Sequence, residues 1–176
     1  LVESLKFFPK AGKVLCIGDG EGRNSVCLAQ QGFSVTSIDM SKEGQKKALS
    51  LAQKKNVPLH YIVGDLANYD FGIQQWDAIV SIFCHLPNIL RQQVYAHCFK
   101  SLKPNGIFLL ESYAPKQLAY ATGGPKEVDM LIDLNDIKPE FEGFEFLVEE
   151  SKERQVVEGQ CHNGLAFVTR IVARKR

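Results

Sequence analysis

The sequence predicts an α/β fold: a three-layer, doubly wound and mostly parallel sheet of seven strands that ends in an antiparallel hairpin. Short apolar runs alternate with segments of helical spacing from Lys13 to Leu110, which is the pattern of parallel strands joined by helical crossovers. Some of these runs are apolar almost throughout, as in strands covered on both faces. The alternation then gives way to two strand-like segments around a turn-rich stretch, which predicts the hairpin.

The first part of the chain contains two strand–helix units. Lys13 to Ile17 is an apolar run that breaks into glycines, and apolar residues at helical spacing follow from Asn24 to Gln31. Ser34 to Ile38 is rich in β-forming residues and predicts the second strand. The Lys-rich segment 42–54 predicts the second helix, with Ser41 as its N-cap.

Three more strands and one helix follow. Leu59 to Val63 predicts the third strand, and the nearly continuous apolar run from Trp76 to Phe83 predicts the fourth. Apolar positions at helical spacing predict a helix from Asn88 to Leu102. The sequence Lys103 to Gly106 is a strong turn signal, and Ile107 to Leu110 predicts the fifth strand.

The pattern changes after the fifth strand. Tyr113 to Pro125 contains two prolines and a glycine pair, which predicts a loop over a site. Asp129 to Phe141 predicts a last helix, and Gly143 to Val157 and Leu165 to Arg174 predict the strands of the hairpin. No repeat or linker interrupts the series, so we expect a single domain over residues 1–176.

Composition limits the classes of partner. The 21 basic and 20 acidic residues nearly balance, so no global field favours nucleic acid or an anionic membrane. The apolar stretches are far shorter than the roughly 20 residues that cross a bilayer. We therefore expect neither a nucleic-acid partner nor a membrane, and a small molecule as the partner.

Cysteine usage indicates a reducing compartment. The five cysteines are an odd number and contain no C-x-x-C pair, which favours free thiols and a cytoplasmic location. The adjacent pairs Cys84-His85 and Cys161-His162 do not predict a metal site, because neighbouring residues on an extended chain point to opposite sides. The chain opens on Leu1 rather than methionine, so it is expected to be a fragment or a trimmed chain.

The loop after the first strand is rich in glycine. Its glycines, at 18, 20 and 22, have G-x-G-x-G spacing at the start of a helix, where a ligand can approach the backbone and helix amides favour a carboxylate. A dinucleotide-binding loop needs G-x-G-x-x-G, with a third glycine at the position of Arg23. Arg23 therefore disfavours a nicotinamide-dependent oxidoreductase, a third hypothesis for this architecture. A purely structural glycine turn is the alternative explanation for the loop.

Carboxylates follow the second and third strands. Asp39 lies about twenty residues after the glycine loop, where a carboxylate can accept hydrogen bonds from both hydroxyls of a ribose. Asp65 can accept a hydrogen bond from an adenine amino group, with Leu66 as an apolar contact. Each aspartate alone could be a turn or cap residue. Together, the three strand ends carry the groups that a methionine–ribose–adenine ligand requires.

At these motifs the sequence resembles the class I methyltransferases that use S-adenosyl-L-methionine. The resemblance covers Lys13 to about Ser112, including Trp76 to Val80 and Leu102 to Gly106. Gly20 to Asn24, Ser81 to Pro87 and Thr122 to Pro125 resemble, more narrowly, the bacterial tellurite-resistance methyltransferases. The resemblance implies a Rossmann-like methyltransferase fold. The residues expected to bind the cofactor are Gly18, Asp19, Gly20, Gly22, Arg23, Asn24, Asp39, Met40, Asp65, Leu66 and Phe83.

The sequence departs from the family at one position. The family's first motif usually begins with an acid two residues before its first glycine, and this chain has Cys16 there. A thiol cannot accept the same charge-assisted hydrogen bonds. Asp19 either supplies a carboxylate for the cofactor's amino group or stays in solvent. The segment that usually covers the cofactor from the N-terminal side is also largely missing.

Methyl transfer from a sulfonium needs few catalytic side chains, because the leaving group is already activated and the protein mainly aligns the reactants. His85 follows the fourth strand and is a candidate base or acceptor-orienting residue. The family resemblance suggests that His162 helps to handle the acceptor. Tyr113 and Tyr120 are candidates for the acceptor pocket. Each of these side chains has a simpler structural explanation, as a backbone-binding or loop histidine or as packing for the loop.

The sequence therefore predicts a methyltransferase that acts on a small soluble acceptor, with tellurite, another metalloid oxyanion and a small thiol as possible acceptors. The competing hypothesis is a catalytically silent domain that binds S-adenosyl-L-methionine as a sensor or partner subunit. Cys16 and the missing N-terminal cover motivate that alternative.

Overall fold

The computed structural model describes residues 1–120, 122–157 and 163–176. Its strands are β1 (Lys13–Ile17), β2 (Ser34–Asp39), β3 (His60–Val63), β4 (Trp76–Ile82), β5 (Leu102–Tyr113), β6 (Phe144–Val157) and β7 (Asn163–Lys175). Its α-helices are α1 (Arg23–Gln30), α2 (Lys42–Lys54), α3 (Asn88–Ser101) and α4 (Leu134–Ile137). Short 3₁₀ turns occupy Val2–Phe7, Pro115–Ala119, Val128–Met130 and Lys138–Phe141.

The strands form one seven-stranded sheet in the order β3-β2-β1-β4-β5-β7-β6. β1 to β5 run parallel, and β7 runs antiparallel to both β5 and β6. The predicted fold class and C-terminal hairpin are confirmed. The strand order reverses between β1 and β4, and a crevice opens at such a point outside the carboxyl ends of the strands.

Local sequence signals place most elements to within a residue. The predicted bounds of β1 and α2 agree with the structure, those of β2, β3, β4 and α3 differ by one residue at one end, and those of α1 differ by one residue at both ends. Ser41 caps α2 as expected, since its Oγ accepts a hydrogen bond from the Gly44 amide at 2.9 Å.

The turn predicted before the fifth strand lies inside β5, as a bulge. Trp76 pairs with Leu102 and Ala78 pairs with Ile107, so residues 103–106 have no counterpart on β4. Asn105 adopts a φ of 63°, which the turn requires. Lys103 anchors the bulge, because its Nζ lies 2.8 Å from the Asp77 carboxylate oxygens.

The single helix predicted over residues 129–141 is wrong, because the segment is broken into a 3₁₀ turn, the short α4 and a second 3₁₀ turn. Leu131 is extended, with a ψ of 148°. The Ile132 amide donates to the Tyr113 carbonyl at 2.9 Å, and its carbonyl accepts from Thr169 Oγ1 at 2.7 Å. Asp133 then starts a new helix as its N-cap. Tertiary hydrogen bonds to β5 and β7 therefore override the helical spacing of the apolar residues.

Apolar side chains cover both faces of the sheet. One layer includes Leu15, Ile79, Tyr95, Phe108 and Phe141, all buried on the side of α3. The other packs β-strand residues against α1 and the N-terminal segment, with Phe8 and Phe33 in edge-to-face contact at 5.9 Å. Within the described residues, no helix has the length and apolar character needed to cross a membrane.

Candidate functional site

A cavity of about 240 Å³ opens at the carboxyl ends of β1 to β4, in the expected crevice. The residues that line it come from four strand ends and the start of α3: Gly18, Asp39, Met40, Gly64, Asp65, Leu66, Phe83, Cys84, His85, Leu86 and Leu90. The lining is mostly apolar with two carboxylates, a composition typical of small-molecule sites. The structure thus brings together seven of the residues selected from the sequence, including His85.

Asp39 joins the second strand to the glycine loop. Its Oδ2 accepts the Gly20 amide at 2.9 Å, and its Oδ1 accepts the Ser41 amide at 2.8 Å. Each carboxylate oxygen can accept more than one hydrogen bond. Asp39 therefore orders the loop and still has acceptor capacity for a ligand's hydroxyl groups.

Asp65 and its neighbours form the far wall of the cavity. Asp65 is exposed, and its Oδ1 accepts the Ala67 amide at 2.9 Å. Leu66 is buried beside it, whereas Met40 is 72% exposed at the mouth. This wall offers one hydrogen-bond acceptor between two apolar side chains.

The glycines of the loop serve different purposes. A Cβ on Gly18 would lie 2.4 Å from Cys84 Sγ, so Cys84 already fills the space that the missing side chain leaves. Gly20 has a φ of 57°, and a Cβ there would meet no atom within 4 Å. The open approach expected along the loop is therefore at Gly20.

Five predicted cofactor residues lie outside the cavity lining: Asp19, Gly20, Gly22, Arg23 and Asn24. Gly22 is the left-handed N-cap of α1, and a Cβ there would lie 2.5 Å from that of Ala48. Arg23 and Asn24 line a separate cavity of about 180 Å³, which Glu111 also lines. Gly22, Arg23 and Asn24 shape the start of α1 and the space beyond it.

Asp19 neither stays in solvent nor lines the cavity. It is 8% exposed, and its Oδ2 accepts a hydrogen bond from Ser37 Oγ at 2.8 Å. Burial raises the pKa of Asp19, and the nearby donors of Ser25, Ser37 and Asn24 offset part of that rise. The solvent position considered from the sequence is wrong, because the side chain turns beneath the loop.

Aromatic rings surround the end of β4. Phe83 has a φ of 52°, an uncommon conformation for a non-glycine residue. The half-buried His85 stacks on Tyr113 with ring centroids 5.5 Å apart and an interplanar angle of 9°. Tyr113 is fully buried beneath Phe83 and His85 rather than at the cavity surface. It supports these two residues, and His85 faces the site.

The remaining predicted residues are elsewhere. Tyr120 donates its hydroxyl to Glu153 and is not part of the cavity lining. His162 lies outside the described residues. Sequence reasoning missed Gly64, Cys84, Leu86 and Leu90 as individual lining residues; Leu90 in particular has the helical spacing of a core position, which gives no signal of a cavity.

The family is decided by the match of a methyltransferase-domain model to residues 14–106, more than half of the chain. The chain belongs to the methyltransferase domain family. Membership confirms the predicted enzyme class of the domain and its cofactor, S-adenosyl-L-methionine. The matched residues contain β1 except its first residue, all of β2 to β4, and the whole cavity lining.

Relatives of this methyltransferase domain extend the comparison. The YqeM protein of Bacillus subtilis, named as a methyltransferase, is 31% identical over 143 residues, which are 77% of this chain and 56% of YqeM. The ubiquinone biosynthesis O-methyltransferase of Rickettsia akari is 29% identical over 113 residues, which are 63% of this chain and 44% of that protein. The chain thus spans about half the length of these relatives.

Solved structures share the fold of the methyltransferase domain. TehB from Haemophilus influenzae superposes with a TM-score of 0.81 at 20% identity, covering 99% of this chain and 61% of TehB. A methyltransferase from Methanosarcina mazei, described as SAM-dependent, superposes with a TM-score of 0.73 and covers 97% of this chain and 95% of that one. At these identities the likeness concerns the fold alone.

Proposed function

We propose that the domain binds S-adenosyl-L-methionine in the cavity at the carboxyl ends of β1 to β4 and methylates a small soluble acceptor. The observation that carries the proposal is that Asp39 and Asp65 line one apolar cavity. The open backbone at Gly20 is hydrogen-bonded to Asp39, although Gly20 itself is not part of the lining. If the glycine turn and the two aspartates had only separate structural roles, nothing would require both carboxylates to line the same cavity.

The residues fit the parts of this cofactor. Asp39 would accept hydrogen bonds from the ribose hydroxyls, since its oxygens keep acceptor capacity beyond the Gly20 and Ser41 amides. Asp65 would accept one from the adenine amino group, between the apolar side chains of Leu66 and Met40. The cofactor supplies a methyl group activated by the positive charge of its sulfonium.

The protein's contribution to transfer would be alignment and exclusion of water. His85 lies in the cavity wall, with its ring plane held against Tyr113. From there it would orient the acceptor or take a proton from a neutral one, whereas an anionic acceptor needs no base. His162 stays a predicted second acceptor residue.

The proposed acceptors are compatible with this chemistry. Tellurite, another metalloid oxyanion and a small thiol are acceptors that need at most one proton removed. The name of the Rickettsia akari relative adds a hydroxyl oxygen as a further candidate. A single acceptor-orienting histidine is compatible with each, so an acceptor screen should include all of them.

Calorimetric titration with S-adenosylhomocysteine, beside a titration with NADH, tests the cofactor assignment. We expect micromolar binding of S-adenosylhomocysteine and none of NADH. Binding of NADH alone would contradict the proposal and restore the oxidoreductase hypothesis.

Release of S-adenosylhomocysteine from S-adenosyl-L-methionine then tests turnover, with tellurite, selenite, a small thiol and a catechol as acceptors. His85→Ala should lower turnover by at least about tenfold, in the range of general acid–base contributions, with little change in cofactor affinity. His97→Ala is the matched control, because His97 is exposed on α3 and stacks on Phe71 away from the cavity. Binding without turnover of any acceptor would favour the silent sensor or partner subunit.

A further inference from the structure

Asp19 is a buried carboxylate beneath the glycine loop. One of its oxygens accepts a hydrogen bond from Ser37, which is itself fully buried on β2. Among the residues that the structure describes, no donor meets hydrogen-bond geometry at the other oxygen, Oδ1, although the donors of Ser25 and Asn24 lie close enough to offset part of the rise in pKa that burial causes. A buried acid with an unsatisfied oxygen destabilises a fold. The contribution of Asp19 must therefore lie in the part of the structure that its hydrogen bond holds in place.

The carboxylate completes a series of ties between the loop and β2. The Gly18 amide donates to the Ile38 carbonyl at 2.8 Å, and the Gly20 amide donates to Asp39 at 2.9 Å. The Asp19 side chain accepts a hydrogen bond from Ser37, the residue before Ile38. Three consecutive loop residues are therefore hydrogen-bonded to residues 37–39 of β2, and Asp19 is the loop residue that makes its bond through its own side chain.

Cys16 lies next to this tie. It pairs in register with Ser37 across β1 and β2, and it is 1% exposed. Burial and the nearby Asp19 raise the pKa of its thiol, so Cys16 stays neutral. The position where the family motif usually has an acid thus offers no charged acceptor, and the carboxylate at residue 19 occupies the adjoining space.

We propose that Asp19 and Ser37 are positioning residues that fix the glycine loop in its cofactor-binding shape, in place of the acid absent at residue 16. Neither side chain lines the cavity, so their effect passes through the loop backbone at Gly18 and Gly20. The proposal rests on the proposed function for its effect on cofactor affinity, but not for its effect on the loop.

Two substitutions at residue 19 test the hydrogen bond. Asp19→Leu removes the acceptor and keeps the same number of side-chain heavy atoms, and Asp19→Asn keeps an oxygen that can accept from Ser37. We expect S-adenosylhomocysteine to bind about tenfold more weakly to Asp19→Leu and within about threefold of wild type to Asp19→Asn, the scale of a single buried hydrogen bond. Ser37→Ala deletes one hydroxyl, tests the same tie if Asp19→Leu does not fold, and should weaken binding by about threefold or more.

Asp77→Leu is the matched control for lost stability. Asp77 is another hydrogen-bonded carboxylate, which accepts the Lys13 amide and the Lys103 ammonium at 2.8 Å, but it lies at the opposite end of the sheet. We expect Asp77→Leu to lower the melting temperature and leave the Kd unchanged. The proposal would be overturned if Asp77→Leu weakened S-adenosylhomocysteine binding as much as Asp19→Leu does. It would also be overturned if Asp19→Asn and Asp19→Leu weakened binding equally.

Amide hydrogen exchange of the ligand-free protein separates this proposal from the proposed function. The Gly18 and Gly20 amides should exchange about tenfold faster in Asp19→Leu than in Asp19→Asn, because loop opening becomes easier. Unchanged exchange at both glycines would overturn the positioning role whatever the cofactor. If wild type binds no S-adenosylhomocysteine while exchange changes as expected, the proposed function fails and the positioning role stands.

Discussion

Replacing Asp39 by alanine removes two kinds of interaction at once, and the structure allows their magnitudes to be separated. In the free protein the carboxylate accepts the Gly20 and Ser41 amides at 2.9 and 2.8 Å. At about 1 kcal/mol for each of these partly exposed bonds, Asp39→Ala should lower the free energy of unfolding by about 2 kcal/mol. For a domain of this size that is a fall in Tm of about 4–8 °C.

The loss of affinity should be larger. Two ribose hydroxyls that bind a carboxylate contribute about 1.5 kcal/mol each or more, so their loss costs at least about 3 kcal/mol and weakens the Kd by roughly two orders of magnitude. Calorimetric titration with S-adenosylhomocysteine measures this directly. Asp39→Asn, which keeps one acceptor oxygen, should lie between wild type and Asp39→Ala.

Ser41→Ala is the control for the stability component. It removes the α2 cap, the hydrogen bond that Ser41 Oγ accepts from the Gly44 amide at 2.9 Å, at a cost of about 1 kcal/mol. It should lower the Tm and leave the Kd within about threefold of wild type, less than one hydrogen bond's worth. A Kd for Asp39→Ala equal to that of Ser41→Ala would refute the ribose assignment.

Three further changes have expected outcomes of their own. The Cβ added by Gly20→Ala would meet no atom within 4 Å, so the left-handed backbone should lower the free energy of unfolding, measured with urea, by only about 1–2 kcal/mol. Calorimetry should show that S-adenosylhomocysteine binding is lost. Retained affinity would show that the cofactor does not approach the backbone at Gly20. Gln117→Leu removes the hydrogen bonds that Gln117 makes to the Phe167 amide, the Gly123 carbonyl and Thr122 Oγ1. Chymotrypsin should therefore cut the loop around Tyr120 several-fold faster than in wild type. An unchanged cleavage rate would contradict this role for Gln117. The pKa of Asp19 is raised in the folded state by burial, so the folded protein binds that proton more tightly than the unfolded chain. The Asp19 contribution to stability should therefore fall as pH rises from the ordinary aspartate pKa through the raised one. The difference in urea midpoint between wild type and Asp19→Asn should change with pH across that range, and a difference that does not change with pH would refute the shift.

Local signals were sufficient for most elements of the domain. The apolar run of Lys13–Ile17 and the cap at Ser41 gave β1 and α2 their observed bounds, because strand burial and helix capping depend on neighbours within a few residues. The segment 129–141 failed for the opposite reason. The hydrogen bonds that Ile132 makes to Tyr113 and Thr169 are not visible in a helical pattern.

The candidate site divides in the same way. Chain order and the parallel sheet placed Asp39, Asp65 and His85 at strand ends, and ends of parallel strands meet at one edge, so the sequence alone determined that these residues share a cavity. Tertiary structure alone decided how the neighbouring residues are used: Gly18 makes room for Cys84, Tyr113 supports His85, and Tyr120 bonds Glu153 instead of lining the cavity.

The sequence by itself therefore determined the family, the class of ligand and which residues at the ends of the parallel strands lie at the cavity. These follow from motif spacing and strand direction. It did not determine the direction of the Asp19 side chain, which turns beneath the loop to Ser37. That direction depends on a hydroxyl eighteen residues away, brought close only when β2 pairs with β1.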